Sequence, residues 1–533
     1  MIIEGRTAQL LQWEYHSNKF YSDPFNDIEL DILLTSPEGK IWKIPTFWVE
    51  EQRWAVRFIP KEIGTYKVQT HCSDTKNSSL HDLHDTLSII QGDLSSINNL
   101  NISSNHKYLK KNQKSPFFWL ADTWWMALSK RLSYPDDFKS LVSRRKAQGF
   151  NVIMLVAGLF PDMESFDERG SNEKGFPWEA EYTRINPAYF DKADERISYL
   201  VESGLIPCIL GSWGYYLQAL GEKKMKQHWR YIIARWGAYN VVWTIAGEAT
   251  MPYYLSKQRT KDMYALHEGW THVARYIKQI EPFGNLITIH PTEIGREQIQ
   301  EPSLLDFNLI QAGHHGYESV SNCIRLIRQE RDKKPLMPLI VGEVNYEGIQ
   351  KDIHASVVRL TFWSAILSGA KGFSYGANGI WQVNTKRNPF GASPHGTTWG
   401  NTPWEEAYLY QGATQIGYAK KLLEEYEWWL LEPQEEWLLP QGKLLDANKP
   451  SIAGIPGKLC IIYFYRASYY WWNRPKYTLS QLENSVTYEA LFWDPRTNQK
   501  YPISSRIKAN INGHWSIPKL PSKEDWVLIL QPL

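Results

Sequence analysis

From residue 116 onward the chain repeats one unit. A short apolar run ends at a small or polar residue, and a connecting stretch follows that in several units carries apolar residues at helical spacing. PFFWLADTWW, NVIMLVAG, LIPCILGSWG, NVVWTIAGE, NLITIHPTE, FNLIQAGHHGY, PLIVGEVNYEG and AKGFSYGANGIWQ supply eight such runs in order. Continuous apolar runs without polar alternation read as strands buried on both faces, the state reached when helices cover a parallel sheet. Between the runs, Phe138, Leu141 and Val142 mark a helix stopped at Gly149. Asn186 and Pro187 predict an N-cap and first helical position, with Phe190, Ala193, Ile197, Leu200 and Val201 as the stripe before Gly204. Trp229, Ile232, Ile233 and Trp236 mark a third helix closed by Gly237, and Val358, Phe362 and Ala365 a later one. Eight strand and helix units in succession predict an α/β fold, the (β/α)8 TIM barrel, over residues 99–432. A doubly wound open sheet is the rival, but no GxGxxG or P-loop follows any run.

The flanks obey a different period. With 533 residues the chain exceeds what one core organises, so further domains are expected. In residues 1–98, Ile28, Leu30, Ile32 and Leu34 alternate with polar neighbours, as do Trp54, Val56 and Phe58, then Tyr66 and Val68. That alternation, broken by turns such as SPEGK, predicts an immunoglobulin-like β-sandwich. SSINNLNISSN, 95–105, reads as a linker, and KLCIIYFY, VTYEALFWDP, GHWSIP and DWVLILQP predict a second β-sandwich in 433–533.

Two predicted strands end alike, at a carboxylate: AGE at Glu248 and VGE at Glu343. Strand C-termini of a barrel open on one face, so residues far apart in sequence converge there. A lone glutamate after a strand is ordinarily a solvated loop group, but two at strand ends of one barrel, each after a glycine, fit the carboxyl pair that cleaves a glycosidic bond. Their separation would decide between retention and inversion. The proton donor must stay protonated near neutral pH, which a desolvating aromatic wall or the neighbouring charge on Glu343 would achieve, with Trp213 and Trp243 as wall candidates. The chain holds 25 Trp and 30 Tyr, rings suited to the apolar faces of sugars. Other strand ends offer Asp122, Trp124, Trp125, Trp213, His290, His314, His315, Tyr346 and Trp381 as substrate contacts.

Two rival readings share these residues. The histidines with Asp122 and Glu343 could form a metal-dependent hydrolase site, but the first strand ends ADTWW without paired histidines and the adjacent His314 and His315 diverge. Alternatively, a degenerate barrel could bind carbohydrate without cleaving it, though a binder needs no carboxyl pair. No metal or other cofactor is called for by the two-glutamate reading. A net charge of +2 with no sustained basic run points away from nucleic acid and anionic membrane. Cys72, Cys208, Cys323 and Cys460 show neither zinc nor disulfide spacing and read as reduced thiols. The N-terminal residues lack the pattern of a signal peptide, and no run of about 18 apolar residues occurs. A cytoplasmic protein acting on oligosaccharides is expected.

PFFWLADTWW, KAQGFNVIML, INPAYFDKADERISYLVESGLIPCIL, GSWG, NVVWTIAGE, IHPT, QAGHHGY, PLIVGEVNYEG and GANGIW resemble the successive strand-end motifs of the apiosidase-like glycoside hydrolases. FNDIELDILLTSPEG, RWAVRFIPKEIGTYKVQT, FWDPRTNQ and DWVLIL are similar to the sandwiches that flank such barrels. The resemblance implies membership of the large retaining clan, with Glu248 as proton donor, Glu343 as nucleophile and Asp122, Trp213, His290, His315 and Trp381 as sugar contacts. It further implies substrates derived from plant cell-wall pectin. Two departures stand out. Gly247 occupies the place where the wider clan carries Asn, and Glu248 the place where apiosidase-like members commonly carry Asp.

Overall fold

The structure, a computed structural model, describes residues 2–94, 99–350, 352–443, 445–466 and 476–533. Its centre is a barrel of eight parallel strands: β1 (Trp119–Thr123), β2 (Val152–Val156), β3 (Ile206–Leu210), β4 (Val242–Thr244), β5 (Ile287–Thr288), β6 (Asn308–Gln311), β7 (Leu339–Glu343) and β8 (Gly372–Tyr375). The ladder runs β5-β4-β3-β2-β1-β8-β7-β6, each strand paired in parallel with the next. Every residue of β2 and β3 is buried, as the unbroken apolar runs require.

Among the described residues, seven helices of 12 or more residues wrap the strands: α1 (Asp136–Ala147), α2 (Pro187–Glu202), α3 (Tyr216–Trp236), α4 (Arg259–Ile280), α5 (Tyr317–Glu330), α6 (Ala355–Leu367) and α7 (Gln411–Leu423). The predicted apolar stripes face the barrel: Phe138, Leu141 and Val142 on α1, Phe190, Ala193, Ile197 and Leu200 on α2, and Trp229, Ile232, Ile233 and Trp236 on α3 are buried, while Val201 at the end of α2 is partly buried. Two local expectations change. Pro187 does open α2, but the Asn186 side chain turns away from the helix and donates to the carbonyls of Lys174 and Phe176, both at 2.9 Å. Between β5 and β6 the predicted helix is replaced by two 3-10 turns, Gly295–Glu297 and Pro302–Leu304.

The first 90 residues form a five-stranded and a three-stranded sheet, with Leu30, Ile32, Leu34, Trp54, Val56, Phe58, Tyr66 and Val68 buried. Part of the predicted linker, 95–98, lies outside the described residues. The rest of it is structured: Leu100–Ile102 pairs with Leu109–Lys111, which pairs in turn with Ser115–Phe117. From residue 432 onward, a six-stranded and a three-stranded antiparallel sheet close the chain.

Both flanking units are tied to the barrel by buried arginines. Arg57 of the N-terminal sheets donates to Asp194 Oδ2 at 2.6 Å and to the Arg235 carbonyl at 2.9 Å. On the other side, Arg359 of α6 grips Asp525 through two bonds of 2.6 and 2.8 Å and also donates to Gln415.

Candidate active site

Segments after β1, β2, β3, β4, β6, β7 and β8 surround a cavity of about 510 Å³ at the barrel mouth, lined by both Glu248 and Glu343, a size typical of a small-ligand site. Glu248 follows β4 with a φ of +43°, a left-handed backbone that costs energy for a side chain other than glycine and aims it into the mouth. Gly247 before it is required by close approach: a Cβ there would meet the Trp213 ring at 2.3 Å. The indole thus occupies the space that a larger residue at 247 would need. It lies near enough for Trp213 Nε1 to donate to Glu248 Oε2 at 3.3 Å, while Gln311 Nε2 donates to Oε1 at 2.8 Å. Burial pushes the Glu248 carboxyl up to about 7, and the negative Glu343 adds to it, against the pull of Gln311 and His290.

Glu343, the last residue of β7, has the opposite character. His314 Nε2 donates to its Oε1 at 2.8 Å, and His290 Nε2 stands 3.2 Å from Oε2. The His314 tautomer follows from its other nitrogen: Nδ1 accepts the Tyr346 backbone N–H at 3.3 Å, so the neutral ring carries its proton on Nε2, toward Glu343. Burial alone would raise Glu343, but the two imidazoles outweigh it and hold the carboxyl down to about 2. Two glutamates on one cavity are therefore driven apart in acidity, one kept as acid and one as anion.

Around them, Trp125 packs edge-on against both Trp213 and His290, with ring centroids 5.6 and 5.4 Å apart. The Tyr346 ring leans on His314 at 4.5 Å, and Gly376 makes room for it, since a Cβ there would meet that ring at 2.2 Å. The Tyr346 hydroxyl and the Trp381 indole nitrogen are buried without a well-formed hydrogen bond.

Of the predicted contacts, Trp125, Trp213, His314, His315, Tyr346 and Trp381 line the cavity, His315 at its exposed rim. His290 lies behind the lining, wholly buried against Glu343. Asp122 and Trp124 are not brought to it. Asp122 is buried in an ion pair with Arg145 at 2.6 Å and accepts the Trp124 indole N–H at 2.6 Å, so both are taken up by packing. Trp243 is likewise no wall: it faces outward, edge-on to Trp229 of α3. Sequence reasoning passed over Gln311, Asp162, Tyr254, His395 and Trp399, all of which line the cavity. A glutamine inside the apolar FNLIQ run was the available signal for the first; the others sit on irregular segments whose spacing carries none.

Among the described residues, no group of three or more His, Cys, Asp or Glu side chains is disposed to hold a metal ion, and no helix is long and apolar enough to cross a membrane.

Comparison with known proteins agrees with this architecture. The family model described as "Apiosidase-like, catalytic domain" matches residues 103–430, and a domain of unknown function, DUF5060, matches residues 8–73. A solved structure described as a putative glycoside hydrolase from Bacteroides vulgatus ATCC 8482 aligns over 100% of both chains with 13% identity and a TM-score of 0.69. A family 5 glycoside hydrolase from the same organism covers 81% of this chain and 93% of its own, with 21% identity and a TM-score of 0.66. A third, titled "Glycoside hydrolase", covers 82% of this chain and 97% of its own, with 21% identity and a TM-score of 0.65. These likenesses show a shared fold. No curated protein matches the sequence. With the catalytic-domain model spanning more than half of its length, the chain belongs to the apiosidase-like family and is a glycosidase.

Proposed function

We propose that this enzyme cleaves O-glycosidic bonds of plant cell-wall-derived, pectin-type oligosaccharides by double displacement, with net retention at the anomeric carbon. The observation that carries the two roles is the contrast between two carboxyls on one cavity: Glu343 set between His314 and His290 and so favoured as the anion, Glu248 buried beside that charge and so favoured as the acid; retention rests on the family match. In the first step a Glu343 oxygen attacks the anomeric carbon as the bond to the leaving oxygen breaks, and Glu248 gives its proton to that oxygen. Esterification removes the negative charge of Glu343, so the Glu248 carboxyl becomes more acidic just when it has to act as a base. In the second step Glu248 takes a proton from water, the oxygen attacks the same carbon, and Glu343 departs as carboxylate. The pectin-type substrate rests on the family match; the aromatic lining of the cavity suits a sugar of any kind. The reading extends to a cytoplasmic site of action, supported by four cysteines that are all unpaired and buried.

The test is hydrolysis of a panel of aryl glycosides, furanosides included, by the wild type and Glu343→Gln side by side. Release by the wild type with a loss of about 10³-fold or more in the variant is expected for a missing nucleophile. Equal release by both overturns the assignment.

A further inference from the structure

Five aspartates in the described structure are buried, and four of them have an obvious reason to be. Asp31 pairs with Arg230 and Lys43, Asp122 with Arg145, Asp494 with Arg496 and Asp525 with Arg359. The fifth, Asp162, is 8% exposed and enters no salt bridge among the described residues, although it lines the cavity that holds Glu248 and Glu343. Tyr254 and Trp399 reach its side chain as hydrogen-bond partners, but a desolvated carboxylate without a salt-bridge cation is costly, and a fold retains one where a ligand adds further donors.

The surroundings hold Asp162 in place. It follows β2 in a left-handed turn with a φ of +57°, and its backbone N–H donates to the Tyr254 hydroxyl at 3.0 Å. Tyr254 is stacked on His395, centroids 5.1 Å apart and planes within 5°. His395 sits on the 384–403 segment, which Arg131 and Arg169 fix through the carbonyls of Asn388, Phe390 and Ala392 at 2.6 to 3.0 Å. The same segment brings Trp399 to the cavity. Asp162 and both glutamates line one cavity and lie close enough to act on one another's charge.

Resting on the glycosidase mechanism above, we propose that Asp162 is the recognition carboxylate of this site: it accepts hydrogen bonds from two adjacent free hydroxyls of the sugar whose anomeric carbon faces Glu343. A planar carboxylate offers two acceptors at the spacing of neighbouring ring hydroxyls, and charge-assisted bonds of this kind are the strong ones. The enzyme therefore selects sugars unsubstituted at those two positions.

The test uses the aryl glycoside that the wild type cleaves best, together with its deoxy and O-methyl analogues at each ring hydroxyl. Wild type, Asp162→Asn, Asp162→Ala and Glu343→Gln are compared on all of them. The wild type is expected to lose about 10- to 100-fold in kcat/KM when either of two adjacent hydroxyls is removed. Asp162→Ala should show a similar loss on the parent sugar, with discrimination between parent and analogue at those positions falling to about one. Discrimination that persists in Asp162→Ala overturns the proposal, whatever the overall loss of activity, because a merely structural defect lowers parent and analogue alike. Full activity in Glu343→Gln would instead bring down the reaction mechanism, an outcome distinct from that one.

Discussion

At the scale of single residues, acidity is set by which donors reach which carboxyl. Glu248 receives one strong bond, from Gln311, and one long one, from Trp213, whereas Glu343 lies between two imidazoles. On the proposed mechanism the protonated Glu248 is the active form for kcat/KM, so activity should fall as pH rises through about 7, with the acid limb following Glu343 far below it. Gln311 stabilises the charged form of Glu248. Gln311→Met should therefore move the alkaline limb upward, by about half a unit to one unit, which a pH profile of kcat/KM reads directly. Both glutamates were legible in the sequence because each closes an apolar run, and the histidines because they follow one. Asp122 and Trp124 stand at an equally good strand end. Their burial was not legible, because Arg145, which claims the carboxylate, is a helix residue whose inward turn no local pattern announces. Asp162 was hidden for the converse reason, since it belongs to a loop that three-dimensional pinning alone brings over the mouth.

At the scale of elements, the strands were legible because burial on both faces leaves an uninterrupted apolar signature. The connection from β5 to β6 was not, since the eightfold repeat implies a helix there although no apolar stripe marks one. The consequence is a line of weakness. β5 and β6 share no backbone ladder; there Asp306 N–H reaches the Ile287 carbonyl and the Thr288 hydroxyl the Phe307 carbonyl, both at 2.8 Å. The amides of Ile287 and Asp306 should exchange with deuterium faster than those of Val152–Val156 and Ile206–Leu210, which sit in full ladders, as mass-spectrometric exchange on the intact chain can measure.

At the scale of the whole molecule, the three units are joined by ion pairs taken out of water. Arg359 and Asp525 are 5% and 0% exposed at their side chains. Truncating one partner strands a buried charge, so Arg359→Met should lower stability by about 3–5 kcal/mol, and the double variant Arg359→Met/Asp525→Leu should regain much of it, as denaturant midpoints would report. Alternation of apolar residues revealed the sheets of both flanks, but these cross-unit arginines read as ordinary charged positions until the partners are seen together. The close fit of Gly247 beneath Trp213 has a consequence of its own. One indole both lines the cavity and donates to Glu248, so that wall cannot be reshaped without altering the surroundings of the carboxyl. On the proposed mechanism, pocket shape and the acidity of Glu248 are thereby coupled through a single ring, so a substitution that reshapes this wall should also shift the alkaline limb of the pH profile.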